Sequence, residues 1–437
     1  MTAGRSGQTP TPNAAASAGA ADRRRYVLVV LTLVGAFNHF DRHLLAILLE
    51  RIKADLVLSD LQLGLLSGVV FGGVYAIMGI PISLLAARSN RRNIIVVALT
   101  VWSALTVACG VAQNFWQLAL ARFGVGIGEA GGTAPSHSMI SDLYPEGRRA
   151  GAMAFYGAGA NLGLFLAMIV GGTVAALFGW RWAFIVAGVP GLILALVVIR
   201  LPEPVREAGL AGAPSLANLG LLRATLGVLR RDPCLRNVIA GTTLNAIVIY
   251  GMLAWVASYL IRVHDLSLQV VGIYMAIVLG LIGGAGTILG GIVADRLARR
   301  HRRWYCWVIA GAILVGMPFM LVFLITDVTA LALTVFVAAT VFGAVFLGLI
   351  FSILHDRVDS AMRPVASAIT LFVVNLLGLG IGPVLVGALS DYVFPGGDGL
   401  RYALVAIQVL GLWAALHYFL GGRALSGGTG GQSADPR

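Results

Sequence analysis

Lysine is all but missing from this chain: Lys53 is the only one in 437 residues. Charge of either sign is scarce as well, 11% of residues against roughly 25% in soluble domains. Together with 58% hydrophobic residues and a mean hydropathy of +0.89, this deficit excludes a soluble globular protein with an ordinary surface. The three cysteines, Cys109, Cys234 and Cys306, show no metal-ligand spacing and read as inert. A Walker sequence is absent, which argues against direct ATP coupling. Gly124-Val125-Gly126-Ile127-Gly128 lies inside an apolar run and follows no strand, so it is not a dinucleotide loop. No enzyme motif survives, and the expected reading is a non-enzyme without metal or cofactor, protons apart.

What the chain has instead is apolar runs of twenty residues and more, which indicate helices rather than an outer-membrane barrel. Twelve such spans are expected, at 26–49, 61–86, 93–112, 116–139, 150–177, 182–201, 237–261, 268–293, 304–325, 329–354, 365–389 and 402–420. Each is long enough to cross a hydrocarbon core of about 30 Å. The net charge of +12 does not point to nucleic acid, because the arginines punctuate these runs. Alternate loops collect them: Arg23–Arg25, then Arg88 with Arg91 and Arg92, then Arg148 and Arg149, and so on through Arg357 and Arg363. The opposite loops hold only Arg51, Lys53, Arg181, Arg262 and Arg401. By the positive-inside rule both termini lie in the cytoplasm. Preference for Arg, Ala and Gly over Lys suggests a GC-rich bacterial genome, and hence the bacterial inner membrane.

The expected organisation is a disordered tail at 1–22, a six-helix bundle at 23–201, a connector at 202–236, a second six-helix bundle at 237–421 and a disordered tail at 422–437. Within the connector, 216–229 reads as an amphipathic helix along the membrane surface. The halves repeat: Arg88, Arg91 and Arg92 follow the second span, and Asp295, Arg296, Arg299 and Arg300 follow the eighth. That repeat argues for two bundles related by an axis along the membrane normal, with a binding site between them near the midplane.

The chemistry resides in charges set within apolar runs. Asp41 and Arg42 fall in the first span, Arg122 and Glu129 in the fourth. A charge at bilayer depth costs about 2.5–3.5 kcal/mol on insertion scales, so it is retained with a partner or a wet cavity. At 1.5 Å per residue, Asp41 lies about 22 Å up the first helix and Arg122 about 9 Å below the far boundary, at nearly one level. The two could therefore meet. Glu129 follows Arg122 by two turns on the same face, and Arg42 projects about 100° away from Asp41 toward another partner. Burial raises a carboxyl's proton affinity and a neighbouring guanidinium lowers it, so an acid that exchanges partners can take up and release a proton. Asp41 and Glu129 are both candidates for that role, and the alternative is that the pairs only brace helices. His39 and His43 are read as packing groups or a proton relay. Tyr75, Asn161, Asn245, Tyr250, Trp255 and Asn375 are candidate cavity residues, Tyr250 and Trp255 suiting an acyl chain; interhelical packing is the alternative for each. Asp142 with Arg148 and Arg149 forms a candidate cytoplasmic charge cluster, and Gly380-Ile381-Gly382-Pro383 a candidate bend.

The loops after the second and eighth spans resemble the G-x-L-A-D-R-x-G-R-R signature of the major facilitator superfamily. The second copy keeps Asp295, Arg296, Arg299 and Arg300; in the first, Ser83, Ala87 and Asn90 depart from it. Within that superfamily, residues 35–205 resemble the Spinster family. The strings that carry this are Asn38-His39-Phe40-Asp41-Arg42 and Arg122-Phe123-Gly124-Val125-Gly126-Ile127-Gly128-Glu129-Ala130, supported by Asp60-Leu61-Gln62-Leu63-Gly64 and Ile140-Ser141-Asp142-Leu143-Tyr144-Pro145. The resemblance implies an all-α major facilitator fold. It also implies secondary transport of an amphiphilic lipid, of the lysophospholipid or sphingosine-phosphate type, by alternating access. Proton coupling through an acid of the first and fourth helices falls on Asp41 and Glu129, with Arg42 and Arg122 as partners or head-group contacts. It implies a cytoplasmic gating role for the Arg88, Arg91, Arg92, Asp295, Arg296, Arg299 and Arg300 loops, and a monomer surrounded by membrane lipids. The alternatives are a broad drug or organic-anion efflux carrier of the same fold and, from another class, a non-transporting receptor or scaffold.

Overall fold

The computed structural model describes residues 12–204 and 219–427, and the described residues contain helices and no strand. Ten of those helices are long and apolar enough to cross a membrane. In chain order the helices are α1 (Pro12–Leu56), α2 (Asp60–Arg88), α3 (Arg91–Gly110), α4 (Phe115–Glu129), α5 (Thr133–Leu143), α6 (Glu146–Phe178) and α7 (Trp180–Val198). The second series is α8 (Leu219–Arg231), α9 (Pro233–His264), α10 (Leu268–Ala298), α11 (Trp304–Ile325), α12 (Thr329–Arg357), α13 (Arg363–Val393) and α14 (Gly399–Gly427). Besides the short connector helix α8, the elements beyond the ten are α1, a continuous helix whose apolar run holds Asp41 and Arg42, and the pair α4–α5, parted at 130–132; α1 and that pair complete the crossings. With them the architecture is compatible with the twelve spans expected.

Helix ends follow local chemistry. Ser59 and Gln62 form a reciprocal cap at the start of α2, and Asn90, Asn114 and Ser267 cap α3, α4 and α10. Asp232 caps α9 with Pro233 at its first position, so that helix starts earlier than the expected 237. Gly179, at φ +90°, turns the chain between α6 and α7. At the amino end α1 already begins at Pro12, where a disordered tail to residue 22 is expected; the run of alanines there has the highest helix propensity of any residue type. Likewise α14 continues to Gly427, past the expected boundary at 422. The expected surface helix at 216–229 corresponds to α8, and the part of it before 219 lies outside the described residues, as do 1–11 and 428–437.

Packing divides the chain in two. In the first half α1 lies along α6, and α3 along α7 and α4; in the second, α9 lies along α14, and α11 along α14 and α12. The halves touch mainly through α2 with α13, α6 with α10 and α1 with α9. Gly64, Gly68 and Gly72 present a bare stripe on α2 to the backbone of Pro383, Gly380 and Leu379 on α13, where any Cβ would overlap. Gly172 and Gly272 meet in the same way between α6 and α10.

The side of the molecule with few arginines is locked. Asp60, 2% exposed, accepts from Lys53 at 2.5 Å, from both Arg262 amino groups at 2.7 Å and from Ser390 at 2.7 Å. Arg262 also pairs with Glu50 at 2.7 Å, and Asp391 accepts the backbone amides of Asp60 and Leu61 at 3.2 and 2.7 Å. Lys53, Glu50 and Asp60 belong to the first half; Arg262, Ser390 and Asp391 belong to the second. On the arginine-rich side, by contrast, every ion pair among the described residues stays within one half. Among the described residues, ion pairs therefore join the two halves at one face only.

Candidate functional site

The four interior charges converge, with the partners partly exchanged from the simplest expectation. Asp41 is buried on α1, and its Oδ2 accepts from the Thr106 hydroxyl on α3 at 3.0 Å. Arg122 on α4 reaches the backbone carbonyl of Asp41 at 3.5 Å, not its carboxylate, and lies over the Phe71 ring at 4.4 Å. The ring face takes up the charge that the expected Asp41 carboxylate would have balanced. The close ion pair is Arg42 with Glu129, at 3.3 Å from Nη2 and 3.4 Å from Nε. Arg42 also donates to Asn38 Oδ1 at 3.1 Å and covers the Tyr75 ring at 4.3 Å.

Asn38 is the hinge of this arrangement, and sequence reading missed its role. It sits one turn before Arg42, accepts from that guanidinium, and donates to the Glu129 backbone carbonyl at 3.1 Å. That carbonyl is the last of α4 before the break at 130–132; it accepts the Gly132 amide at 3.1 Å, and Asn38 is its second donor. The signal was present in the sequence as a polar residue at i−4 from Arg42 inside an apolar run. Thr106 gave none, because a threonine in a span is ordinary.

Each carboxylate keeps one buried oxygen without a donor: Oδ1 of Asp41 and Oε1 of Glu129. Buried acceptors are nearly always satisfied, so two such oxygens in one cluster mark a place for a proton or a water. Beside them a cavity of about 30 Å³, lined by Arg42, His43, Ser67, Phe71 and Tyr250, is large enough for one water. His39 contacts the Gly35 carbonyl at 3.0 Å and lies 6.3 Å from His43, centre to centre.

A second, larger cavity of about 400 Å³ belongs mostly to the second half. Its wall is largely aliphatic and aromatic, including Met252, Met320 and Phe336, with Asn161, Asn245 and Gln408 among the few polar groups. Asn245 is 7% exposed and its amide has no hydrogen-bond partner among the described residues. The wall also includes Gly343, Ala344 and Phe346, at the interruption in α12. Of the expected cavity residues, Asn161 and Asn245 line this cavity, and Tyr250 lines the smaller one. Tyr75 serves instead as the ring beneath Arg42. Trp255 lines neither: it is fully buried and donates to the Pro383 carbonyl at 3.0 Å, tying α9 to α13. Asn375 lines neither as well; it lies in the wide π-type turn Val374–Leu379, just ahead of the expected bend at Gly380–Pro383.

The loop charges are placed as follows. Arg91 is buried and bonds Asp142, Glu203 and the Pro204 carbonyl, and Arg92 donates its backbone amide to Glu203. Asp142 therefore pairs with Arg91 rather than with Arg148 and Arg149, because the start of α3 packs against α5. Asp295 accepts from the Tyr305 hydroxyl at 3.0 Å. Arg88, Arg296, Arg299 and Arg300 are exposed, and among the described residues none of these seven loop residues forms an ion pair across the two halves. Among the described residues no group of His, Cys, Asp and Glu is placed to hold a metal ion.

Comparison with known proteins agrees with this geometry. Residues 31–383 match the Major Facilitator Superfamily profile. An MFS-type efflux pump of Mycolicibacterium smegmatis is 33% identical over 420 residues, covering 94% of this chain and 96% of that protein. Protein spinster homolog 3 of Danio rerio is 26% identical, covering 94% and 87%. Among solved structures, a bacterial homologue of the human lysosomal transporter Spinster, inward-facing and unoccupied, superposes with a TM-score of 0.82 at 28% identity, covering 93% of this chain and 98% of that one. The chain thus belongs to the major facilitator superfamily, as a multi-pass membrane carrier of Spinster-like build.

Proposed function

We propose that this carrier is a proton-coupled secondary transporter of an amphiphilic, lipid-like substrate, working by alternating access in the bacterial inner membrane with both termini in the cytoplasm. The observation that carries the reading is the juxtaposition of two unlike sites. Asp41 and Glu129, each with an unpartnered buried oxygen, sit among Arg42, Arg122 and Asn38 in the first half. Across from them lies a mostly apolar cavity of about 400 Å³ with the free amide of Asn245 inside it. Such a cavity takes an acyl chain with one polar handle, while the charged cluster handles the proton and an anionic head group. Proton exchange with water requires the bundles to move, because both acids are buried in this conformation. Coupling follows from that: the acids reach the two aqueous phases in turn.

Purified protein in liposomes, with a lysophospholipid substrate and an imposed pH gradient, tests the reading. Wild type should accumulate substrate uphill. Asp41→Asn and Glu129→Gln should lose uphill accumulation while still binding substrate. Undiminished accumulation in both variants removes the coupling assignment.

One observation favours a second reading within the same fold. The relative at 33% identity is named an MFS-type efflux pump. Broad drug or organic-anion efflux would use the same protons, and competition separates the two: flat affinity across unrelated cations and anions supports efflux, and a preference for single-chain amphiphiles supports lipid transport.

A further inference from the structure

The connector helix α8 carries a feature that the transport cycle does not use. Its buried face, Thr225 and Leu229, packs with Leu235, Leu354, Val358 and Ala366 against the arginine-rich ends of α9, α12 and α13. Beside this packed face lies a cleft of about 710 Å³ whose wall includes Arg223, Gly227 and Arg231 of α8, together with Arg357 and the half-buried Val228 and Met362 that pack at the edge of the cluster. Among the described residues Asp232 is the only acid lining it, and its capacity is used: Oδ1 caps α9 by accepting the amides of Cys234 and Leu235, and Oδ2 accepts two bonds from Arg357 at 2.6 and 2.9 Å. Arg223 and Arg231 are exposed and have no acidic partner among the described residues. The cleft is open beside Gly227, where a Cβ would meet nothing within 4 Å. Glycine inside a helix costs about 1 kcal/mol relative to alanine.

We propose that this cleft binds the head group of an anionic phospholipid from the surrounding leaflet. Arg223 and Arg231 hold the phosphate, Arg357 fixes the rim through Asp232, and Val228 with Met362 takes the first carbons of the lipid. The positive-inside rule puts this face at the cytoplasmic leaflet, where anionic lipids attract basic juxtamembrane segments. The bound lipid ties α8 and the ends of α9 and α13 into one body, so the second half moves as a unit.

The test uses the full chain purified in detergent, with retained lipid counted by native mass spectrometry and stability followed by thermal shift. Phosphatidylglycerol, phosphatidylcholine and inorganic phosphate are the added probes. Wild type should retain phosphatidylglycerol over phosphatidylcholine and gain thermal stability from it. Arg223→Gln/Arg231→Gln should bind it about thirtyfold more weakly, the worth of two guanidiniums at an anionic surface. Gly227→Leu, which leaves the charge alone and favours the helix, should lose retention by filling that space. Equal retention by wild type and both variants overturns the proposal. So does an equal gain from phosphatidylcholine, or a full gain from inorganic phosphate alone, which would make the cleft a site for the free anion.

Discussion

The fourth crossing element is interrupted in both halves, and the two interruptions are used differently. In the first half α4 ends at Glu129, the chain turns through 130–132, and the Glu129 carbonyl is met by the Asn38 side chain at 3.1 Å. In the second half α12 is parted at 344–346, and the Ala344 carbonyl is met by the Thr287 hydroxyl at 3.3 Å. One architectural device, a carbonyl at a helix break that accepts a short-range backbone amide and also a polar side chain from a neighbouring helix, thus serves both repeats. Irregular backbone at that depth is tolerated only where protein or a cavity satisfies it. What differs is the residue at the break. A glutamate with two nearby guanidiniums makes the first a charge site; alanine and glycine make the second a wall of an apolar cavity.

The largest expected effect comes from removing the charge that distinguishes the first half. Glu129→Gln leaves Arg42 as a buried cation without its anion, a loss on the order of 3–5 kcal/mol in thermal or denaturant unfolding. Replacing Arg42 in the same chain by Gln should recover much of it, because the uncompensated charge is then gone. A double variant as unstable as the single one would show that the pair is held for shape and not for charge. Transport driven by a pH gradient should be absent in either case.

Next in size is the lock between the halves. Asp60→Ala removes the acceptor shared by Lys53, Arg262 and Ser390, a change on the order of 2–5 kcal/mol for a buried hydrogen-bonded charge pair. The equilibrium should move toward opening of the arginine-poor face, read as a longer distance between spin labels on the ends of α1 and α9 there. Unchanged distances would mean that the glycine stripe of α2 holds the face closed without help. Smaller again is Asn245→Leu, which removes one polar handle from the large cavity. An apparent KM about tenfold higher is expected, the worth of one hydrogen bond, with the stoichiometry of proton to substrate unchanged. An altered stoichiometry would tie the two cavities together and erase the contrast between the halves.

The sequence showed the superfamily architecture, the repeat and the depth of the charged residues, since these depend on hydropathy, arginine spacing and a fixed rise per residue. It also placed Arg42 away from Asp41, and the structure gives that guanidinium to Glu129. The Arg122–Asp41 contact was legible only as a shared level: which atom of Asp41 is touched depends on Phe71 from α2, whose approach is set by packing between helices. Trp255 stays open between cavity and packing in the sequence for a related reason. An indole in an apolar span has the same sequence signature whether it faces a cavity or donates to a carbonyl on α13. The interruption in α12 was hidden because Gly343-Ala344-Val345-Phe346 continues the apolar run without a proline or a charge.

The smallest effect is the most direct check on that interruption. Thr287→Val keeps the shape of the side chain and deletes the hydroxyl whose single proton is shared between the carbonyls of Ala344 at 3.3 Å and of Gly283 in its own helix at 3.2 Å. The bond within the helix is local and supplementary, so the measurable loss is the one across to α12, about 1 kcal/mol in unfolding. Asn38→Leu should cost more, about 1–3 kcal/mol, because it removes two bonds in a buried charged site: the Glu129 carbonyl keeps only the Gly132 amide, and Arg42 loses one of its acceptors. The ordering, and not either value, carries the comparison. If Thr287→Val proved as costly as Asn38→Leu, the break in α12 would be as tightly held as the one in α4. The second half would then have to be read as a rigid partner to the coupling site rather than as the yielding wall of a cavity that admits a chain.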